Sequence, residues 1–337
     1  MLLKELTNLS GVSGNENEVR DFIISAIKPY ADEITVDSIG NVIALKKGNS
    51  CKKIMLTAHM DEVGFIISEI TDDGYLKFKT VGGIDTRTIL AKRLVIGKNR
   101  VLGVIGMKAV HLQKKSERDE TPEIKDLFID IGAKDKKSAE VLVKLGDYAT
   151  FETEFEVLGE NTVKAKALDD RVGCAILTEL IKNPVKYDTY FCFTAQEEVG
   201  LRGARLAASR INPDIALIVE TTSCSDVYGF EPSARVTKMH GGVAVTFMDR
   251  TTIVDENLRK TLYSMAENAG IPVQYKCSTS GGNDAGRIHL TAVGIKTAVL
   301  SVPVRYIHSA VSLASVRDFN AAKDLVKLFL ERIDEVL

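Results

Sequence analysis

Two histidines and a set of carboxylates stand where a folded α/β chain would bring them together. His59 and Asp61 end the run KIMLTA, Glu197 and Glu198 end TYFCFTAQ, Glu220 ends DIALIV, and His308 follows AVLSVPVRYI. Asp169 and Asp170 stand just ahead of a helical pattern in KALDDRVG. In an α/β sheet, functional groups collect at the carboxyl ends of strands, so five clusters at equivalent positions point to one shared site. Imidazoles and carboxylates are borderline-to-hard donors suited to Zn²⁺, Co²⁺ or Mn²⁺. Two such ions lie about 3.5–4 Å apart only when a carboxylate bridges them and further ligands hold each one. His59 and Asp61, at i and i+2, point the same way in extended backbone, so one can bind metal while the other orients it. The neighbouring Glu197 and Glu198 repel each other as anions. A cation beside one relieves that repulsion and leaves the other as a general base.

The elements that must hold these residues follow from periodicity. Ser13, three residues before Glu16, predicts a capping box opening a helix through NEVRDFIISAIKPY. EITVDSIGNVIALKKG reads as a hairpin turning near Gly40. The second half alternates helix and strand: DDRVGCAILTELIKN, TYFCFTAQ, GLRGARLAASRI, DIALIVE, ENLRKTLYSMAENAG, IKTAVLSV and a terminal helix from SVRDFN onward. That order predicts an α/β fold, a mostly parallel sheet flanked by helices. Residues 66–160 differ, with short β-prone runs punctuated by glycine and one charged stretch, HLQKKSERDETPEIKD, read as an exposed loop. They predict a small β-rich domain inserted into a catalytic domain made of residues 1–65 and 161–337.

With 337 residues the chain is long enough for one large domain and a smaller one. Its formal net charge of −2 gives no electrostatic reason to bind nucleic acid. No apolar run approaches the roughly 18 residues that span a bilayer, and the start, MLLKELTNLSG, lacks a signal-peptide core. A cytoplasmic protein with no membrane partner is expected. The five cysteines lack paired metal spacing and read as structural thiols. His111, His240 and His289 read as ordinary surface or core residues, Asp170 and Arg171 as servants of the helix start, and Gly281–Gly282 as a turn.

The motifs TAHMDEVGF, KALDDRVG, FTAQEEVGLRGA, GGNDAGRIHLT and VRYIHSAVSL, in that order, closely resemble metallopeptidase family forty-two. These are the TET-type aminopeptidases related to glutamyl aminopeptidase, and the likeness extends over nearly the whole chain. It implies a dinuclear metallopeptidase domain, an inserted β-barrel-like (PDZ-like) dimerisation domain, and homo-oligomers in which dimers assemble into a tetrahedral dodecamer. By that resemblance His59 binds one metal and Asp61 orients it, while Asp169 bridges two divalent ions. Glu198 and His308 complete the second metal, Glu220 is a further ligand, and Glu197 is the general base. Glu220 stands where the family usually shows Asp, and Asn283 where it usually shows Thr.

The expected reaction is removal of the N-terminal residue from peptides, through a metal-bridged hydroxide formed as Glu197 takes a proton. Three alternatives stand beside it: another metal-dependent amide hydrolase (deacylase or carboxypeptidase-like), an endoglucanase, as some relatives are labelled, and a non-enzymatic scaffold weakened by Glu220. A sugar site would rely on aromatic platforms, and this chain has no Trp and 6% aromatics.

Overall fold

The strand Lys53–His59 is buried at six of its seven positions and Ile215–Ser223 at eight of nine. Runs buried on successive residues have both faces covered, and these lie at the centre of an eleven-stranded sheet. The computed structural model describes residues 2–50, 52–231 and 234–337, so Cys51 lies outside the described residues. Four central strands are parallel, in the order Asp188–Thr194, Lys53–His59, Ile215–Ser223, Lys296–Arg305. The expected parallel arrangement therefore holds at the centre. The flanks are antiparallel: the hairpin Glu33–Val36 with Val42–Lys46 on one side, and Ser312–Ser315, Thr162–Ala165 and Glu156–Leu158 on the other. Short connections make three of those flanking pairs, Thr162–Ala165 joins Ser312–Ser315 across the chain, and the parallel neighbours need crossovers.

Register carries the site. Thr194 pairs with His59 and Glu220 with Ser301, so the loops after all four central strands leave from the same edge of the sheet. The helix Leu168–Leu180 packs on Lys53–His59 and Ile215–Ser223 and brings its first turn to that edge. Gly173 allows the approach. A Cβ there would collide with the Asp170 carboxylate, the Val219 carbonyl and the Ala58 methyl.

Six antiparallel strands, from Gly64–Ile70 to Tyr148–Phe151, close a barrel. Its centre holds Phe65 edge-on to Phe78 and Phe151, with ring centroids 5.2 and 5.3 Å apart, a favoured aromatic geometry. The charged stretch expected as open loop contains the short helix Lys115–Asp119 and two 3₁₀ turns. The strand Glu156–Leu158, grouped with the insert on sequence, pairs with Thr162–Ala165 at the rim of the main sheet. All three of its residues are exposed, so its composition resembles a barrel surface strand. The expected capping box does not form. The helix Asn17–Ile27 follows Glu16 without a side-chain cap, and Ser13 donates instead to Asp61 at 2.6 Å. Cys174, Cys192 and Cys224 are buried thiols, as expected, while Cys277 is exposed.

Barrel and sheet meet at a buried ionic knot. Glu62 accepts from Gly11 N (2.9 Å), from Thr150 of the barrel (2.9 Å), and from Lys166 (2.8 and 2.9 Å), with Arg171 Nη2 at 3.3 Å. Burial alone would raise the Glu62 carboxyl, but Lys166 and Arg171 outweigh it and hold it below its ordinary 4.5. Burial also pulls the Lys166 ammonium down to about 8, which leaves it mostly charged at neutral pH. A carboxylate depressed on folding stabilises the native state above its unfolded value, and that stability is lost as pH falls through the lower folded value. Truncating one member strands buried cations at a cost of about 3–5 kcal/mol. Glu62→Ala is therefore expected to lower the unfolding free energy by about that amount at pH 7, and Glu62→Gln to flatten the loss of stability below pH 4.5. Denaturant titrations across pH would check both, and equal acid sensitivity of wild type and Glu62→Gln would contradict the assignment.

Candidate metal centre

The strand Lys53–His59 delivers His59 to the edge of the sheet, where the side chain is 2% exposed. Its Nδ1 faces Asp61, 3.1 Å from the carbonyl and 3.4 Å from Oδ1. Its Nε2 faces outward toward Asp169 Oδ1 at 3.3 Å and Glu220 Oε1 at 3.5 Å. His308, in the loop after Lys296–Arg305, sets Nε2 at 3.2 Å from Asp169 Oδ2 and 3.3 Å from Glu198 Oε2. The two oxygens of Asp169 thus face two different histidines. All seven residues singled out on sequence come together here or directly behind.

Asp61 organises the rear. Its buried carboxylate accepts from Ser13 and from the backbone N–H groups of Glu197 (3.0 Å) and Glu198 (3.1 Å). Burial pushes it up, yet His59 and these donors bring it below the usual range. One carboxylate therefore fixes both the imidazole and the loop that carries the two glutamates. Thr221 supports the front, donating its hydroxyl to Asp169 Oδ1 (2.8 Å) and its N–H to Glu220 Oε1 (2.9 Å). The longer Glu220 thus reaches the cluster from its strand. Ala167, Gln196, Tyr306 and His308 adopt left-handed φ of 51–60° around the site, and such costly conformations in non-glycine residues cluster at functional sites. The Asp169–Asp170 peptide is cis.

The electrostatics test whether cations fit. With Nδ1–H committed to Asp61, a neutral His59 aims its Nε2 lone pair at two carboxylate oxygens, which is repulsive unless a proton or a metal ion lies between. Burial opposes a charged His59, but Glu220, Asp169 and Asp61 hold it well above the ordinary imidazole range. His308 rises to about 9 as Asp169 and Glu198 overcome its burial. Burial first, then neighbouring anions, lifts Glu198 to about 8 and Glu220 to about 7, with the histidines opposing. A pocket this crowded with acids resists ionisation, and divalent cations invert that logic. Ligand atoms of His59, Asp169 and Glu198 lie within 4.8 Å of one another, as do those of His59, Asp170 and Glu220. The residues fit metal.

Some participants had weaker sequence signals. Asp170 serves the helix start as expected, accepting from Gly173 N at 2.9 Å, but also joins His59 and Glu220. Thr221, Ser13 and Asp284 act through contacts across 48–90 residues, which no local pattern displays. Asn283 caps Ala285 N and donates to Asp249. His111 lies on an exposed turn, His240 faces Ser315, and His289 faces the Ala285 carbonyl, all away from the cluster. The cluster opens onto a cavity of about 280 Å³ that also exposes Lys276, Asn283 and Ile307.

A model described as M42 glutamyl aminopeptidase matches residues 40–325. The chain belongs to that family. It is 33% identical to a lysyl aminopeptidase of Pyrococcus furiosus, over 98% of this chain and 96% of the relative. A TET aminopeptidase from a marine-sediment thaumarchaeote superposes with a TM-score of 0.95 at 38% identity, covering 98% of this chain and 95% of the other. A TET1 peptidase of Pyrococcus horikoshii, described as assembling into a tetrahedron or a large octahedral shell, superposes at 0.87 with 35% identity, covering 97% and 98%. The protein is a peptidase of the hydrolase class with the aminopeptidase fold, and its family is metal-dependent. No helix among the described residues is long and apolar enough to cross a membrane.

Losing a partner that orients a metal-binding histidine typically costs 10–100-fold in metal affinity. Asp61→Asn, which keeps side-chain size, is expected to weaken metal binding by about that factor. Competition with a fluorescent chelator would measure it, and an unchanged affinity would remove Asp61 from the orienting role.

Proposed function

We propose that the protein removes the N-terminal residue of peptides at a pair of divalent ions, Zn, Co or Mn, that share Asp169. His59 and Glu220 would hold one ion, His308 and Glu198 the other. The observation that carries this is the division of Asp169's two oxygens between two histidines, at 3.3 and 3.2 Å. When bound, the ions supply Lewis acidity toward the scissile carbonyl and toward water.

Glu197 takes the proton of the attacking water and returns it to the leaving amine. Burial raises its carboxyl well above the usual range, reinforced by Glu220, Glu198 and Asp284 against the opposing pull of His59, which suits a group that must accept and release a proton near neutrality. The surrounding carboxylates attract the free α-ammonium of a chain end, which limits cutting to one residue. Thr221 and Asp61 keep the anionic cluster in place for each turnover.

The same reading takes the insert at residues 66–160, apart from the rim strand Glu156–Leu158, as a dimerisation domain and residues 1–65 with 161–337 as the catalytic domain, in cytoplasmic homo-oligomers up to a tetrahedral dodecamer. The assembly of the TET1 relative supports it. So do apolar side chains left exposed at Leu102, Val110 and Leu112 of the barrel and at Ile253, Leu290 and Val293 of the main domain, since large exposed apolar groups often mark interfaces. The family description names a glutamyl preference and the Pyrococcus relative a lysyl one, so the residue removed must be sought in the cavity itself.

Aminoacyl p-nitroanilides with a free amine are expected to be cleaved, and their N-acetylated counterparts left intact. Glu197→Gln should lower kcat by about 10²–10⁴-fold while elemental analysis still finds two ions per subunit. Preferential cleavage of the acetylated substrates would instead indicate a deacylase.

A further inference from the structure

The loop 195–198 carries Glu197 and Glu198, and each of its four successive backbone N–H groups donates to a side-chain oxygen from the N-terminal part of the chain. Ala195 N donates to Asn41 Oδ1 at 2.8 Å and Gln196 N to Glu16 Oε1 at 3.1 Å, while Glu197 N and Glu198 N donate to the two oxygens of Asp61. The loop carbonyls are closed from the other side. Ala195 O accepts from Gly203 N, Gln196 O from Arg202 N, and Glu197 O from Gly200 N and Leu201 N, at 2.8–3.1 Å. The Glu197 side chain, by contrast, has no hydrogen bond or ion pair among the described residues. Where its carboxylate lies is therefore decided by the backbone beneath it.

Glu16 holds the strained point of that backbone. Gln196 has a left-handed φ of 58°, a conformation that persists in a non-glycine residue only when its surroundings over-determine it. Glu16 is a costly anchor, because it is 5% exposed and makes no ion pair among the described residues. Burial, with Asp61 adding to it, lifts its carboxyl above the ordinary value against the Gly14 and Gln196 N–H groups. Its neighbouring helix does not need it, since Asn17–Ile27 begins without a side-chain cap. Besides Gln196 N, the same Oε1 accepts only from Gly14 N, at 2.7 Å. A buried carboxylate oxygen is among the strongest acceptors a backbone N–H can find.

We propose that Glu16 is a positioning residue for peptide hydrolysis, fixing through Gln196 the backbone from which Glu197 reaches the attacking water. This rests on the aminopeptidase reading given above and adds to it a residue outside the metal cluster. Asp61 serves His59 and the loop together, whereas Glu16 bonds to no metal ligand. Its loss should therefore appear in kcat, with metal binding kept.

The test uses the metal-loaded enzyme and the free-amine p-nitroanilide that wild type cleaves fastest. Glu16→Gln keeps an oxygen within reach of Gln196 N and loses the charge. Glu16→Asp keeps the charge and withdraws the oxygen by one carbon–carbon bond. Reach is expected to decide. Glu16→Asp should lower kcat by about 10–100-fold, as small misplacements of a reacting group do, with KM little changed and two ions per subunit by elemental analysis. Glu16→Gln should regain most of that loss. In a Glu197→Gln background, where the base is already gone, Glu16→Asp should cost no more than about twofold further. Wild-type kcat in Glu16→Asp, loss of ions from it, Glu16→Gln no better than Glu16→Asp, or an equal fall in both backgrounds would overturn the positioning role and leave the aminopeptidase reading intact. Wild type cleaving no free-amine substrate would sink that reading, and this one with it. Both substitutions are small, and general damage to folding would lower activity equally with and without Glu197, so it cannot imitate the expected result.

Discussion

Charge crowding is the constraint around which the rest of the molecule is arranged. Four acidic side chains converge on His59 in two groups, Asp169 with Glu198 and Asp170 with Glu220, the ligand atoms of each group lying within 4.8 Å of one another, and His308 adds a second imidazole against Asp169 and Glu198. Like charges in a poorly solvated pocket either take up protons or recruit cations. Every support of the cluster is directed at holding that arrangement against its own repulsion. Asp61 anchors His59 and the Glu197–Glu198 loop, Thr221 anchors Asp169, and parallel register brings the loops out on one edge. The chain belongs to a metal-dependent family of aminopeptidases, and a cluster of this chemistry accommodates cations.

The barrel is tied to this centre through Glu62, the residue after Asp61. Thr150 reaches it from the barrel, while Lys166 and Arg171 reach it from either side of Asp169 in sequence. Arg171 also donates to the Met60 carbonyl at 2.9 Å. The segment from Met60 to Glu62 and the helix start around Asp169 are thus clamped from behind by one buried ion cluster. Buried ionic groups are weak evidence of stability in themselves and are best understood as fixing one arrangement among several. Here that arrangement is the relative placement of His59 and Asp169.

Much of this was legible in the sequence because the decisive signals are local. Runs such as KIMLTA and DIALIV are buried on both faces, so their composition alone marks central strands, and the acids that follow them fall at the functional edge. The i, i+2 spacing of His59 and Asp61 survives folding as a direct contact. What stayed hidden depends on distant pairing. Ser13 looked like a helix cap because its neighbours fit that pattern, yet its hydroxyl serves a carboxylate 48 residues away. Glu16 looked like its partner in that cap, yet its carboxylate serves an N–H group 180 residues away. Glu156–Leu158 shares its texture with barrel strands because exposed edge strands look alike wherever they lie.

The central claim is that Asp169 is shared by two cations. Crystals grown with Zn²⁺ or Mn²⁺ and measured at the metal's absorption edge would test it most directly. Two anomalous peaks about 3.5–4 Å apart, one on either side of the Asp169 carboxylate and facing His59 and His308, are the expected result. A single peak, or peaks that leave Asp169 out of contact, would contradict it.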